Sequence, residues 1–153
     1  MRQFKDENGR PWTINVNIGT VKRVRQMAGV DLLDLRDGNL FTELASDPVK
    51  LGDVLWVLVL DEAGAAGITD IQFAAALAGD ALDSATQALL DEIVDFFPKP
   101  QRDLLRKALT KGKEMQERQM AKAMRQMEEA IEAWKPEEEV APSGNLSGTA
   151  QAS

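Results

Sequence analysis

Residues Gly67 to Arg106 read GITDIQFAAALAGDALDSATQALLDEIVDFFPKPQRDLLR, and the starts and stops packed into this stretch decide the fold. Thr69-Asp70-Ile71-Gln72 is a capping box, in which the Thr hydroxyl and the Gln side chain each take up an orphan backbone N–H. It predicts a helix running to about Ala78. Gly79-Asp80 interrupts that helix, and Asp80 is expected to cap a second one with an apolar stripe of Leu82, Ala85, Leu89, Ile93, Val94 and Phe97. Pro98 and Pro100 are expected to end it, since proline lacks the N–H a helix interior needs. The Phe96-Phe97-Pro98 corner reads as core, with a docking patch as the functional alternative. Helices that are apolar on one face only must bury that face, so the stretch points to a bundle.

Moving toward the N-terminus, Ser46-Asp47-Pro48 starts another helix, with Asp47 as cap and Pro48 at the first helical position. This helix is expected to reach about Ala63. Leu51, Val54, Leu55, Leu58 and Glu62 repeat at spacings of three and four, while Trp56, Val57, Val59 and Leu60 widen the apolar surface. Such breadth marks a central helix. A shorter amphipathic helix begins near Thr20, carries Val21, Val24 and Ala28 inward and stops at Gly29. Leu32, Leu33 and Leu35 are apolar anchors before the Asp37-Gly38-Asn39 turn, after which Leu40, Phe41 and Leu44 begin one more short helix. Residues 2 to 18 alternate as a β-hairpin around Glu7-Asn8-Gly9. A three-residue loop with Gly9 left-handed sets Asp6 opposite Arg10 and Phe4 opposite Trp12, whereas a two-residue turn sets Lys5 opposite Trp12; the first register is preferred.

Toward the C-terminus, Gln101 to Trp134 reads as one long helix, or two collinear ones divided near Gly112. Leu104, Leu105, Ala108 and Leu109 are expected to face the bundle. Further on, Met120, Met124, Met127, Ile131 and Trp134 follow at spacings of four, three, four and three, a narrow seam of coiled-coil type on a highly charged helix. Two heptads do not hold a helix alone, so the seam needs a partner: the rest of this chain, a second copy through self-association, or a client protein. From Pro136 the composition is acidic and then small and polar, which predicts disorder. The expected fold class is therefore mainly α: a small N-terminal β-hairpin, a compact bundle of about five helices, a long charged C-terminal helix and a disordered tail. The domain reading is 1–112 for hairpin plus bundle, 113–135 for the Met-rich extension and 136–153 for the tail.

Composition then excludes chemistry. The chain has no His, Cys or Tyr, which removes Ser-His and Cys-His catalysis, imidazole and thiolate metal ligation, and any disulfide. A calcium loop centred on Gly38 would put Leu33, Leu35 and Leu44 at ligand positions, none with a side-chain oxygen. Asp80 with Asp83, or Asp91 with Asp95, could in principle act as a carboxylate pair, but these residues read as a cap and as the polar side of a helix, together with Glu92. Gly64-Ala65-Ala66-Gly67 lacks the Lys and Ser or Thr of a phosphate loop. No catalytic, cofactor-binding or metal-binding residue is assigned, and an enzyme is not expected.

The formal charge of -7 opposes general nucleic-acid binding, although Lys22, Arg23 and Arg25 form a basic cluster in the first half. Val54 to Leu60 is too short to span a bilayer, which takes about 20 apolar residues. The polar start MRQFKDENGRPW lacks the apolar core of a secretory signal, so the cytoplasm is the expected location.

The order of these elements resembles the tail assembly chaperones of long-tailed bacteriophages. It is carried by WTINVNIGTVKRVRQMAGVDLLDL, by DPVKL, and by GITDIQFAAALAGDALDSATQALLDEIVDFFPKPQRDLLRKAL, over about residues 4 to 110. The resemblance implies a protein that binds the hydrophobic tape measure protein in the bacterial host cytoplasm and keeps it soluble. It also implies help in recruiting tail tube subunits, absence from the mature particle, and a shorter product where frameshifting makes a longer one. The family supplies no agreed binding residues, so the partner-binding candidates remain the seam residues Met120, Met124, Met127, Ile131 and Trp134. Competing readings are a structural connector or minor tail subunit, and a small nucleic-acid-binding regulator using Lys22, Arg23 and Arg25.

Overall fold

The computed structural model describes residues 1–35 and 39–134. The fold is mainly helical with one small antiparallel hairpin: β1 (Arg2–Lys5), β2 (Pro11–Ile14), α1 (Ile18–Ala28), α2 (Asn39–Ser46), α3 (Pro48–Ala66), α4 (Asp70–Ala75), α5 (Gly79–Asp95) and α6 (Lys99–Ala133). By its internal contacts the chain divides into two units, Met1–Lys107 and Ala108–Ser153. The tail reading beyond Pro136, and Asp37 and Gly38 of the expected turn, lie outside the described residues.

The hairpin adopts the three-residue-loop register, with Phe4 opposite Trp12 and Gly9 at φ 77°. Asp6 N donates to Arg10 O at 3.0 Å, closing the loop. The strands stop at Ile14, short of the expected 18, because Asn17 leaves the sheet to cap α1. Its side chain accepts from Thr20 N at 2.9 Å, and Thr20 Oγ1 accepts from Asn17 N at the same distance. The helix therefore starts at Ile18 and ends at Gly29, whose φ of 67° is the left-handed stop.

Helix α3 is central: β2, α1, α2, α4 and α5 all pack against it. Asp47 caps it by accepting from Lys50 N, and Gly67 at φ 70° ends it. Leu51, Val54, Leu55, Val57, Val59 and Ala63 are buried, while Trp56, Leu58 and Leu60 are half-buried, which explains the broad apolar surface. One aromatic cluster ties three elements together. Phe73 of α4 meets Trp12 of β2 edge-on at 5.0 Å and Trp56 of α3 at 5.7 Å.

Four local expectations need correction. Helix α4 carries its Thr69–Gln72 capping box but ends at Ala75, because the Ala76 carbonyl is taken by Glu7 N at 2.9 Å instead of by the next helical turn. Asp80 is not the cap of α5: Ala78 holds that position without a side-chain bond, and Asp80 sits in the first turn, where its charge favours the helix dipole. Pro100 does not end α5 but lies in the first turn of α6, where a missing N–H costs nothing. Leu104 and Ala108 are exposed, and only Leu105 and Leu109 of that quartet are half-buried.

Candidate partner-binding surface

Two carboxylates lie inside the first unit, and each is explained by hydrogen bonding. Asp6 accepts from Asn8 N at 2.9 Å, Arg10 N at 3.0 Å and Trp12 Nε1 at 2.9 Å. Glu92 is buried, contrary to its expected place on a polar face. It accepts from Val16 N at 3.0 Å and pairs with the Met1 amino group at 3.0 Å. Both acids organise the chain around them, with three donors on Asp6 and two on Glu92, one of them the Met1 amino group.

The Asp91/Asp95 pair is likewise occupied. Arg2 reaches Asp95 at 2.6 Å and Asp91 at 3.9 Å, and Arg106 pairs with Asp95 and, at 3.7 Å, with Asp91. The Asp95 hydrogen bond raises the Arg2 pKa above the ordinary arginine value, with burial opposing and Asp91 assisting. Two arginines on two carboxylates make a neutral cluster joining β1, α5 and the start of α6. In α1, Arg23 pairs with Asp61 at 3.2 Å and Arg25 with Asp31 at 3.1 Å, so two of the three cations in that cluster already have carboxylate partners. Among the described residues no group of three or more acidic side chains is placed to hold a metal ion, and no helix is long and apolar enough to cross a membrane. Two open grooves run along β1 and α5. One is lined by Arg2, Gln87 and Asp91, the other by Phe4, Asp6 and Ala81. In the first, Arg2 Nε is buried without a hydrogen-bond partner, although the same guanidinium pairs with Asp95 and Asp91.

The seam is different in kind. Helix α6 has no buried residue, and Met120 (63% exposed), Met124 (55%), Met127 (63%), Ile131 (66%) and Trp134 (66%) all face solvent. At 100° per residue their spacings confine them to an arc of about 80° on one side of the helix. The seam is therefore continuous, and no described side chain covers it. Met115 is also exposed but lies off this arc, five residues before Met120. One small-residue feature escaped the sequence reading: Ala121, Ala123 and Ala130 border the seam, a signal visible once the helix is drawn as a wheel.

No protein-family model, curated protein or solved structure matches this chain.

Proposed function

We propose that this chain is an assembly chaperone of the type found with long-tailed bacteriophages. It binds the hydrophobic tape measure protein through the α6 seam, keeps it soluble and helps recruit tail tube subunits, all without catalysis. The observation that carries the reading is the stripe of five exposed apolar side chains at 4-3-4-3 spacing on a helix with no buried residue. A long apolar client helix is covered by such a stripe in the helix-in-groove manner, and unbranched methionines adapt to a client whose sequence varies along its length.

The magnitudes favour reversible holding. Full burial of a large apolar side chain is worth about 1.5–3 kcal/mol, so five that are already partly covered gain roughly 5–8 kcal/mol. Association costs about 4–15 kcal/mol, so the seam's own burial leaves at most about 4 kcal/mol and the client's buried apolar surface supplies the rest; holding at one site is weak and reversible. The charge of -7 keeps a loaded complex dispersed. Co-expression with the tape measure protein tests the reading: the client's soluble fraction rises, and no rise with the intact chain overturns it.

A further inference from the structure

The two edges of the hairpin are finished differently. Asp6 N bonds Arg10 O, and stepping back by twos puts the hydrogen-bonded pairs of the ladder at Phe4–Trp12 and Arg2–Ile14. The backbone groups of Gln3 and Lys5 therefore point away from β2, and those of Pro11 and Thr13 away from β1. On the β2 side neither residue offers a free donor: Pro11 has no N–H, and Thr13 N donates to Glu62 Oε1 at 3.0 Å. On the β1 side, among the described residues, no group takes up the N–H and C=O of Gln3 and Lys5. An open strand edge is a template for a further strand.

The surface beside that edge sets the chemistry of the strand that fits. β1 packs over α5 and β2 over α3, so a strand added to β1 runs above the outer flank of α5. The two grooves along β1 and α5 meet at Gln3 and Ser84 and form one trough. Its α5 side is a polar stripe of Asp80, Ser84, Gln87 and Asp91 at spacings of four, three and four. The stripe is about 16 Å long, the span of roughly five strand residues. At one end Asp91 is neutralised by Arg2 and Arg106. At the other, Glu7, Asp80 and Asp83 are exposed and have no ion-pair partner among the described residues, and Glu7 Oε1 stands 3.1 Å from where a Cβ on Gly79 would lie. Lys5 is the single cation lining that end, which stays net negative.

We infer that the β1 edge takes up an extended segment of a partner protein as a third strand, with Lys or Arg side chains of that segment set against Glu7, Asp80 and Asp83. A second copy of this chain is the wrong occupant. Two β1 edges paired about a two-fold axis would bring their α5 flanks, and with them both sets of these carboxylates, together. Main-chain hydrogen bonds supply the affinity and the carboxylates the selection, as where a strand extends a sheet. This surface is distinct from the α6 seam, and its test touches no seam residue.

The probe is an acetylated, amidated seven-residue peptide in which lysine alternates with valine, titrated calorimetrically into the full chain. It binds, and its counterpart with glutamate in place of lysine does not. Methylating three consecutive backbone nitrogens at its centre weakens binding at least about tenfold, because donors to the Gln3 and Lys5 carbonyls are lost. Asp80→Lys with Asp83→Lys in one chain weakens it about fivefold or more. Gln3→Pro removes an outward N–H at a position where an edge strand tolerates proline, and weakens it severalfold. The peptide comparisons use the unmodified chain, so they decide the question even where Gln3→Pro loosens the hairpin. No binding of the lysine peptide at about 1 mM overturns the inference, and so does equal binding of its methylated form, which would reduce the contact to charge alone. A wild-type dimer that Gln3→Pro dissociates also overturns it, since a second copy would then hold the edge.

Discussion

Replacing Asp6 with Ala orphans three donors at once, and its cost can be worked from the hairpin. The carboxylate takes the Asn8 and Arg10 backbone N–H groups on Oδ1 and the Trp12 indole N–H on Oδ2. Trp12 is 1% exposed, so its N–H finds no water after the substitution. A buried donor left without a partner costs about 1–3 kcal/mol. Asn8 and Arg10 lie in an exposed turn where water replaces the lost acceptor, which limits each to about 0.5 kcal/mol. The expected destabilisation is about 2–4 kcal/mol, a large share of the 5–15 kcal/mol typical of a domain. For a chain of this length it lowers Tm by about 5–12 °C. Asp6→Asn separates the contributions: its remaining oxygen can serve the turn, but its amide N–H groups cannot accept from Trp12, so only about 1 kcal/mol of the loss is recovered. Urea unfolding followed by tryptophan fluorescence reads both variants. An Asp6→Ala loss under about 0.5 kcal/mol would refute the claim that this carboxylate locks the hairpin.

Further perturbations probe other parts of the fold. Phe73→Ala empties the space between Trp12 and Trp56, and costs about 3–5 kcal/mol in the same unfolding assay. Two glycines respond with opposite sign: Gly67→Ala, at φ 70°, costs about 1 kcal/mol. Gly112→Ala, helical and with open space where the methyl would go, stabilises α6 by about 0.5–1 kcal/mol and raises helicity by circular dichroism. Thr69→Ala removes half of the α4 capping box and costs about 1 kcal/mol by thermal melting.

The parts of this fold legible in the sequence are those specified by neighbours in the chain. Gly9 sets the hairpin register, Asp47-Pro48 and Thr69–Gln72 start two helices, and Gly29 closes another, because caps and left-handed stops act within four residues. The Asn17 cap was equally local, with Thr20 three residues on, but alternation through Ile18 concealed it. Glu92 was unreadable for a different reason. Its partners, Val16 N and the Met1 amino group, are remote in sequence, so an amphipathic pattern assigns it outward. The early end of α4 also has a distant cause, the Glu7 N–H on the Ala76 carbonyl. Leu104 shows the limit from the other side, since apolar spacing on α6 does not say which face is covered. The seam was legible as spacing; its exposure at all five positions came only with the structure.

The central claim is that Met120 to Trp134 serves a partner and not the fold of the first unit. The most direct measurement pairs Met124→Glu with Ile131→Glu in one chain and records its thermal unfolding beside its capacity to keep the co-expressed tape measure protein soluble. The account predicts a Tm within about 1 °C of wild type, because both side chains are exposed, together with loss of solubilisation. Undiminished solubilisation by the double variant, or a fall in Tm comparable to that of Phe73→Ala, would contradict it.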